Sequence, residues 1–301
     1  MPMKKPNLFL IGGPKCGTTS IQEYLAGHPQ IFMCTPKEPC YFDTDLPWPD
    51  SPKSEQAYMR LFDGANDVHI AVGDASTNYL YSAVAVSNIL AFNPSAKFIV
   101  MVRNPIEMAM SLHSYSVQEL TEDVVDFEAA WRLQGERRNG RSLPRLNYQK
   151  DFVMYGAFCM LGEQLQRLYS KVERERVHVI VFDDLRANPE DTYRKCLEFI
   201  GVPYDGRMLY PARNVTGRPR SQPLHNLLAH LLAVRQALPI PRLGLDVFSR
   251  LKRLNLAPDV KRSISGDFRR ELICYFRGDV ELLSRLIGRD LRVWLNQNLT
   301  C

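Results

Sequence analysis

Residues 12–20 read Gly-Gly-Pro-Lys-Cys-Gly-Thr-Thr-Ser and follow directly on the apolar run Leu8-Phe9-Leu10-Ile11. A short buried strand, a glycine-rich loop and a helix, in that order, make a phosphate cradle. Backbone N–H groups of the loop and of the helix N-terminus point at an anion. Gly12 and Gly17 have the spacing of the nucleotide triphosphate-binding pattern Gly-x4-Gly-Lys-Ser/Thr, yet Thr18 follows Gly17 and the lysine stands earlier, as Lys15. That displacement moves the ammonium relative to the helix N-terminus.

The rest of the chain alternates short apolar runs with helical patterns, which predicts a parallel sheet covered by helices. Strands are expected at 7–12, 31–33, 71–74, 97–102 and 177–182. A first helix runs from Thr18 to Gly27 and stops at His28-Pro29, because the residue before a proline avoids the helical region. Further helices are expected from Ser82 to Phe92, from Pro105 through Ser111 and Leu112, from Phe152 to Ser170, and from Pro189 to Ile200, the last closed by Gly201. Residues 43–55 are a proline-rich loop, and residues 121–150 are polar with Trp131 as a lone anchor. Beyond residue 221, the leucine-rich stretches Leu224–Leu238 and Leu243–Leu254 and the amphipathic pattern Phe268–Leu295 predict a helical C-terminal part. The fold class is therefore α/β, with a central parallel sheet of P-loop-like (nucleotide kinase-like) topology. One domain is expected over 1–301, an α/β core to residue 220 carrying a helical part at 221–301.

A net charge of +5 is too small to argue for nucleic acid, but it suits a polyanionic ligand. The seven cysteines have no Cys-x2-Cys pair and no metal-ligand spacing, so free thiols in a reducing compartment and no metal site are expected. No apolar stretch reaches the length of a membrane span. The sequons at Asn214 and Asn298 read as chance occurrences.

Strand 97–102 is followed by Arg103-Asn104-Pro105, with Ser111 eight residues after the arginine. An arginine at the carboxyl end of a parallel strand stands where α/β folds bind ligands, and a guanidinium fork with a hydroxyl suits a phosphate monoester. Salt-bridge and helix-surface roles for the two are the structural alternatives. The loop Pro14-Lys15-Cys16-Gly17-Thr18-Thr19 together with Arg103 and Ser111 resembles the sulfotransferases that use 3′-phosphoadenosine 5′-phosphosulfate (PAPS). The resemblance implies that Lys15, Cys16, Gly17, Thr18, Thr19 and Ser20 hold the 5′-phosphosulfate, and that Arg103 and Ser111 hold the 3′-phosphate. The segment Lys37-Glu38-Pro39-Cys40-Tyr41-Phe42 is similar to that of the glycan-sulfating branch, which includes the heparan sulfate sulfotransferases. This implies Glu38 as general base, with Lys37 beside it on the acceptor side and Lys15 as the catalytic cation. Asp74-Ala75-Ser76-Thr77-Asn78-Tyr79 resembles the family's Glu/Asp-x-Ser-x-x-Tyr segment, implying an acceptor-side or supporting place for Asp74 and Ser76. A helix cap explains those two residues equally well. Gly217 and Arg218, in Thr216-Gly217-Arg218-Pro219, match the family's basic loop at the 3′-phosphate. The likeness covers residues 7–220, with Cys16 and Asp74 as modest departures.

The expected reaction is transfer of the sulfuryl group from PAPS to a hydroxyl or amine, without metal, releasing adenosine 3′,5′-bisphosphate (PAP). The acceptor is a glycan, glycolipid or small natural product. The start of the chain, without the membrane anchor of Golgi sulfotransferases, suggests a bacterial-type cytoplasmic enzyme or a piece of a longer chain. Two other readings stay open. Val179-Ile180-Val181-Phe182-Asp183-Asp184 looks like the magnesium-binding strand of a P-loop kinase or NTPase, although the lysine after Gly17 is missing. A non-catalytic nucleotide-binding scaffold is the third. Asp74 and His113 compete with Glu38 for the role of base.

Overall fold

The computed structural model describes residues 4–119, 121–144, 150–211 and 264–295, the strands 217–219 and 256–258, and a few positions from 221 to 254. The chain divides into two compact units. The first comprises Met1–Met108, Ala157–Asn214 and Arg270–Cys301, and the second Ala109–Gly156 and Val215–Arg269.

The first unit is built on five parallel strands, β1 (Leu8–Gly12), β2 (Ile31–Met33), β3 (Ala71–Asp74), β4 (Lys97–Val102) and β5 (Val177–Val181), in the order β2-β3-β1-β4-β5. Continuous apolar runs suit strands covered on both faces. Every residue of β1 is buried, and Phe9 stacks on Phe98 of β4 with ring centroids 5.8 Å apart. The chain leaves β1 to one side and returns on the other, so the carboxyl end of β1 lies where an open α/β sheet takes its ligand. Around the sheet run α1 (Thr18–Ala26), α2 (Glu55–Met59), α3 (Ala85–Phe92) and the start of α4 (Pro105–Gln118).

The second unit contains the rest of α4 and the short helices α5 (Phe127–Arg132) and α6 (Gln134–Arg138). Its polar sequence has a buried centre. Arg137 and Glu122 are both buried and joined by two hydrogen bonds of 2.6 and 2.8 Å, and Tyr155 donates to the same carboxylate at 2.7 Å. Trp131 is not a lone anchor, since its ring meets Phe127 and Phe268.

The long helix expected from Phe152 to Ser170 is broken. A 3-10 turn at Lys150–Val153 leads to α7 (Tyr155–Phe158) and then, after a break at Cys159–Met160, to α8 (Leu161–Tyr169). The amides of Gly162 and Glu163 at the start of α8 donate to the Asp279 carboxylate at 2.9 and 2.8 Å. A capping group distant in sequence thus supplies the new start that the amphipathic pattern does not signal.

The C-terminal part of the first unit follows β5 with α9 (Phe182–Ala187) and α10 (Pro189–Ile200), the latter capped by Asn188 and ended by Gly201 at φ 91°. The second unit contributes β6 (Gly217–Pro219), antiparallel to β7 (Leu256–Pro258), and α11 (Gly266–Ile287) starts there and ends in the first unit. Most of the leucine-rich stretches 224–238 and 243–254, and both sequons, lie outside the described residues. Among the described residues no helix is long and apolar enough to cross a membrane. Cys16, Cys34, Cys40, Cys159 and Cys196 are free and buried, whereas Cys274 is disulfide-bonded, unlike the all-thiol set expected.

Candidate active site

The loop after β1 turns into α1 through two left-handed residues, Lys15 at φ 64° and Gly17 at φ 90°. Gly17 meets both requirements for glycine. A Cβ there would adopt a disfavoured backbone and lie 2.9 Å from Leu185 and 3.0 Å from Phe182. Lys15 holds the same conformation with a side chain, a strain that persists only where surrounding structure enforces it. The Arg103 guanidinium is part of that enforcement. Its Nη1 donates to the Lys15 carbonyl at 2.9 Å, its Nη2 pairs with Glu107 at 2.9 Å, and its plane lies over Phe182 at 4.6 Å. Its buried Nε has no hydrogen-bond partner among the described residues. Asn104 caps α4 by accepting from the amides of Ile106 and Glu107.

The cradle fits an anion. The N–H groups of Cys16, Gly17 and Thr18 find no acceptor among the described residues. Cys16 contributes only its backbone, because its thiol is fully buried, against Met108, and burial pushes it up to about 12. Ser20 is also buried, and its N–H returns to the Gly17 carbonyl.

The segment after β2 brings Lys37 and Glu38 to the start of α1. Lys37 Nζ donates to Thr18 Oγ1 at 3.2 Å, to Thr19 Oγ1 at 3.1 Å and to Glu38 Oε1 at 3.0 Å. Lys37, expected on the acceptor side, is thus an ammonium at the N-terminus of α1, beside the glycine-rich loop. Glu38 is solvent-accessible, and Thr77 Oγ1 donates to its Oε1 at 2.6 Å.

Asp74 and Ser76 are 0 % exposed, which removes them from the acceptor side where the resemblance implied they could stand. They support the Glu38 segment from behind. Asp74 accepts from Ser76 Oγ (2.7 Å), Tyr58 OH (2.8 Å) and Tyr79 OH (3.0 Å). Ser76 Oγ in turn accepts from the Cys40 amide at 3.1 Å, and Tyr79 OH from the Tyr41 amide at 2.9 Å. Glu38 and Cys40 have φ of 58° and 49°, and these hydrogen bonds hold the backbone through that turn. Burial raises Asp74 to about 6, against the lowering effect of its three hydroxyl donors.

His113 belongs to the second unit, buried between Phe127 and Tyr155 with Nε2 2.9 Å from the Val124 carbonyl. Ser111 is on α4 in the same unit and half-buried. Gly217 and Arg218 form part of β6 rather than a loop, opposite Pro258 and Ala257. The adjoining residues 212–216 and 220 lie outside the described ones.

The acids that resembled a magnesium-binding strand end are engaged elsewhere. Asp183 accepts from Trp294 Nε1 at 2.7 Å, and Asp184 pairs with Arg289. The structure brings together Lys15, Thr18, Thr19, Lys37, Glu38 and Arg103, and it adds Thr77 and Tyr58, which no spacing rule marks, while Tyr79 is the tyrosine of the Glu/Asp-x-Ser-x-x-Tyr segment. Thr77 lies within the segment Asp74–Tyr79, but its partner Thr18 is 59 residues away in sequence.

Comparison with known proteins gives a consistent result. Residues 5–215 match the sulfotransferase domain family. The membrane-associated sulfotransferase kil1 of Dictyostelium discoideum is 29 % identical over 38 % of this chain and 24 % of its own length. Carbohydrate sulfotransferase 15 of Mus musculus is 27 % identical over 36 % of this chain and 27 % of its own. The chain thus spans about a quarter of the length of these curated relatives. The solved structure of a sulfotransferase from Alicyclobacillus acidocaldarius superposes with a TM-score of 0.71 and 27 % identity, covering 97 % of this chain and 99 % of that one.

Proposed function

The chain belongs to the sulfotransferase domain family, and on that premise we propose that it moves a sulfuryl group from PAPS to a hydroxyl or amine of a carbohydrate-like acceptor. The observation that carries the reading is the meeting of an anion cradle, two lysines and one accessible carboxylate. Glu38 Oε1 is hydrogen-bonded to Lys37, which is itself bonded to Thr18 and Thr19 at the start of α1.

The 5′-phosphosulfate rests on the N–H groups of residues 16–18 and on the positive end of α1. Lys15 and Lys37 supply the charge that balances the leaving phosphate and the sulfuryl oxygens. Arg103 takes the 3′-phosphate that distinguishes PAPS from other adenine nucleotides; for Ser111 and Arg218, in the second unit, that role rests on the family resemblance alone. Glu38 accepts the proton of the acceptor as its oxygen or nitrogen attacks sulfur. The S–O bond to the 5′-phosphate breaks, and the electron pair leaves on PAP. Metal is not needed in this scheme, since the transferred group carries less negative charge than a phosphoryl group. Carbohydrate is named because the Lys-Glu-x-x-Tyr-Phe segment resembles the glycan-sulfating branch and one relative is a carbohydrate sulfotransferase.

The test is ³⁵S-labelled PAPS offered with three acceptors: a desulfated heparin oligosaccharide bearing free hydroxyls and amines, a galactosyl lipid and a simple phenol. Label is expected on the oligosaccharide. Glu38→Gln should bind PAP as wild type does and lose roughly 10²–10⁴-fold in rate, the range of a general base. Label on no acceptor overturns the transferase reading, and a Glu38→Gln variant of wild-type rate overturns the base.

A further inference from the structure

The two oxygens of the Glu38 carboxylate are used unequally. Oε1 accepts from Thr77 Oγ1 at 2.6 Å and from Lys37 Nζ at 3.0 Å, whereas Oε2 takes no hydrogen bond from the described residues. Thr77 Oγ1 also lies 3.3 Å from Thr18 Oγ1, at the start of α1. A hydroxyl has one hydrogen to give. Thr77 gives its hydrogen to Glu38, so Thr18 gives to Thr77, and Lys37 Nζ gives to Thr18 at 3.2 Å. One directed chain therefore runs from Lys37 through Thr18 and Thr77 to the carboxylate.

Thr77 is well placed to hold that end still. It is buried, 3 % exposed, and opens a 3-10 turn over Thr77–Tyr79. The residues around it are fixed by Asp74, whose hydroxyl partners Ser76 and Tyr79 also hold the amides of Cys40 and Tyr41. The Glu38 amide donates to the Ala75 carbonyl at 3.2 Å. Backbone and carboxylate of Glu38 are thus both held by residues 75–77.

We propose that Thr77 is the positioning residue of the base: it fixes Oε1, leaves Oε2 as the oxygen that takes the acceptor's proton, and ties the base to the donor cradle through Thr18. The proposal rests on Glu38 being the base, as read above. In the transfer step the acceptor O–H or N–H bond breaks and its proton goes to Oε2. The bond to sulfur forms, and the S–O bond to the 5′-phosphate breaks with its electrons going to PAP. Thr77 keeps its own proton throughout.

The experiment compares Thr77→Val, which keeps the shape and removes the hydroxyl, with Thr77→Ser, which keeps the hydroxyl. Both are made in the wild-type and Glu38→Gln backgrounds. Single-turnover transfer from labelled PAPS to the desulfated heparin oligosaccharide is the rate, and calorimetry with PAP gives donor-site affinity. In the wild-type background Thr77→Val should lose ~10–100-fold in rate, the scale of a small misplacement of a reacting group. PAP affinity should stay within about two-fold in both variants, since the loop N–H groups are untouched, and Thr77→Ser should stay within about three-fold of the wild-type rate, since it keeps the hydroxyl. In the Glu38→Gln background the Val change should cost less than about two-fold, because residues acting as one unit are not additive.

A wild-type rate in Thr77→Val, or an equal loss in both backgrounds, overturns the proposal while leaving Glu38 as base. A wild-type rate in Glu38→Gln overturns the base itself and this proposal with it. Should Thr77→Val fail to fold, Thr77→Ala takes its place and is judged by the same rates.

Discussion

Arg103 secures the loop after β1. Its Nη1 hydrogen bond to the Lys15 carbonyl and its stacking on Phe182 hold the left-handed loop residue, while its buried Nε has no partner among the described residues. An unpaired buried donor is costly, so a ligand that brings an acceptor to the guanidinium gains from that need. Arg103→Ala should weaken PAP by about 2–5 kcal/mol, the cost of truncating one member of a buried charge pair. Calorimetry should register a smaller loss for adenosine 5′-monophosphate, which lacks the 3′-phosphate. Equal losses for the two nucleotides would show that Arg103 serves only the loop. The arginine itself was legible in the sequence from its place at the end of a strand. Its grip on the Lys15 peptide was not, because 88 residues separate the two.

At the scale of elements, the segment carrying Glu38 continues into a second buried acid. Asp43 is fully buried; its Oδ2 accepts from Trp48 Nε1 at 2.7 Å, and its Oδ1 has no hydrogen-bond partner among the described residues. Burial pushes it up to about 7, with Asp74 and Asp45 adding to the rise and Trp48 opposing it. The folded value stands above the unfolded one, so the stabilising contribution is fully present below the ordinary carboxylate range, near pH 4. It is lost as pH rises through about 7. Wild type should therefore lose more stability between pH 5 and pH 8 than Asp43→Asn, by about 2–3 kcal/mol at 1.4 kcal/mol per unit. Asp74, raised to about 6, keeps a smaller dependence in the variant. Chemical denaturation at the two pH values measures the difference, and parallel losses in the two proteins would exclude Asp43 as its source. The sequence marks 43–55 as a proline-rich loop but gives no sign that its first acid is buried, since loop acids are ordinarily solvated.

On the scale of the whole molecule, the second unit is centred on an ion pair rather than on an apolar core alone. Arg137 and Glu122 are both 0 % exposed in their side chains, and each satisfies the other with two hydrogen bonds. Removing one partner leaves a buried charge without its counter-ion. Arg137→Met should cost about 3–5 kcal/mol, read from hydrogen exchange of the α5 and α6 amides. A loss below about 1 kcal/mol would mean that solvent enters and replaces the guanidinium, as for an exposed pair. Composition hid this feature, because residues 121–150 read as a polar surface stretch and charge alone does not tell which acid and base leave water together.

The sequence by itself determined the parallel sheet and the glycine-rich turn at the end of β1. Each is a local property: apolar runs of strand length, glycines at fixed spacing, and a lysine in the turn. The strands at 31–33, 71–74 and 97–102 are where their apolar runs put them. Only the tertiary structure decided the break between α7 and α8, where Asp279 supplies a cap from a distant helix. Tertiary packing also buried Asp74 and Ser76 behind the Glu38 segment and turned Lys37 toward the start of α1. The same packing set Thr77 against the carboxylate. Those contacts join residues tens of positions apart, and a hydrogen bond depends on where two chain segments meet in space, which neither segment's own pattern records.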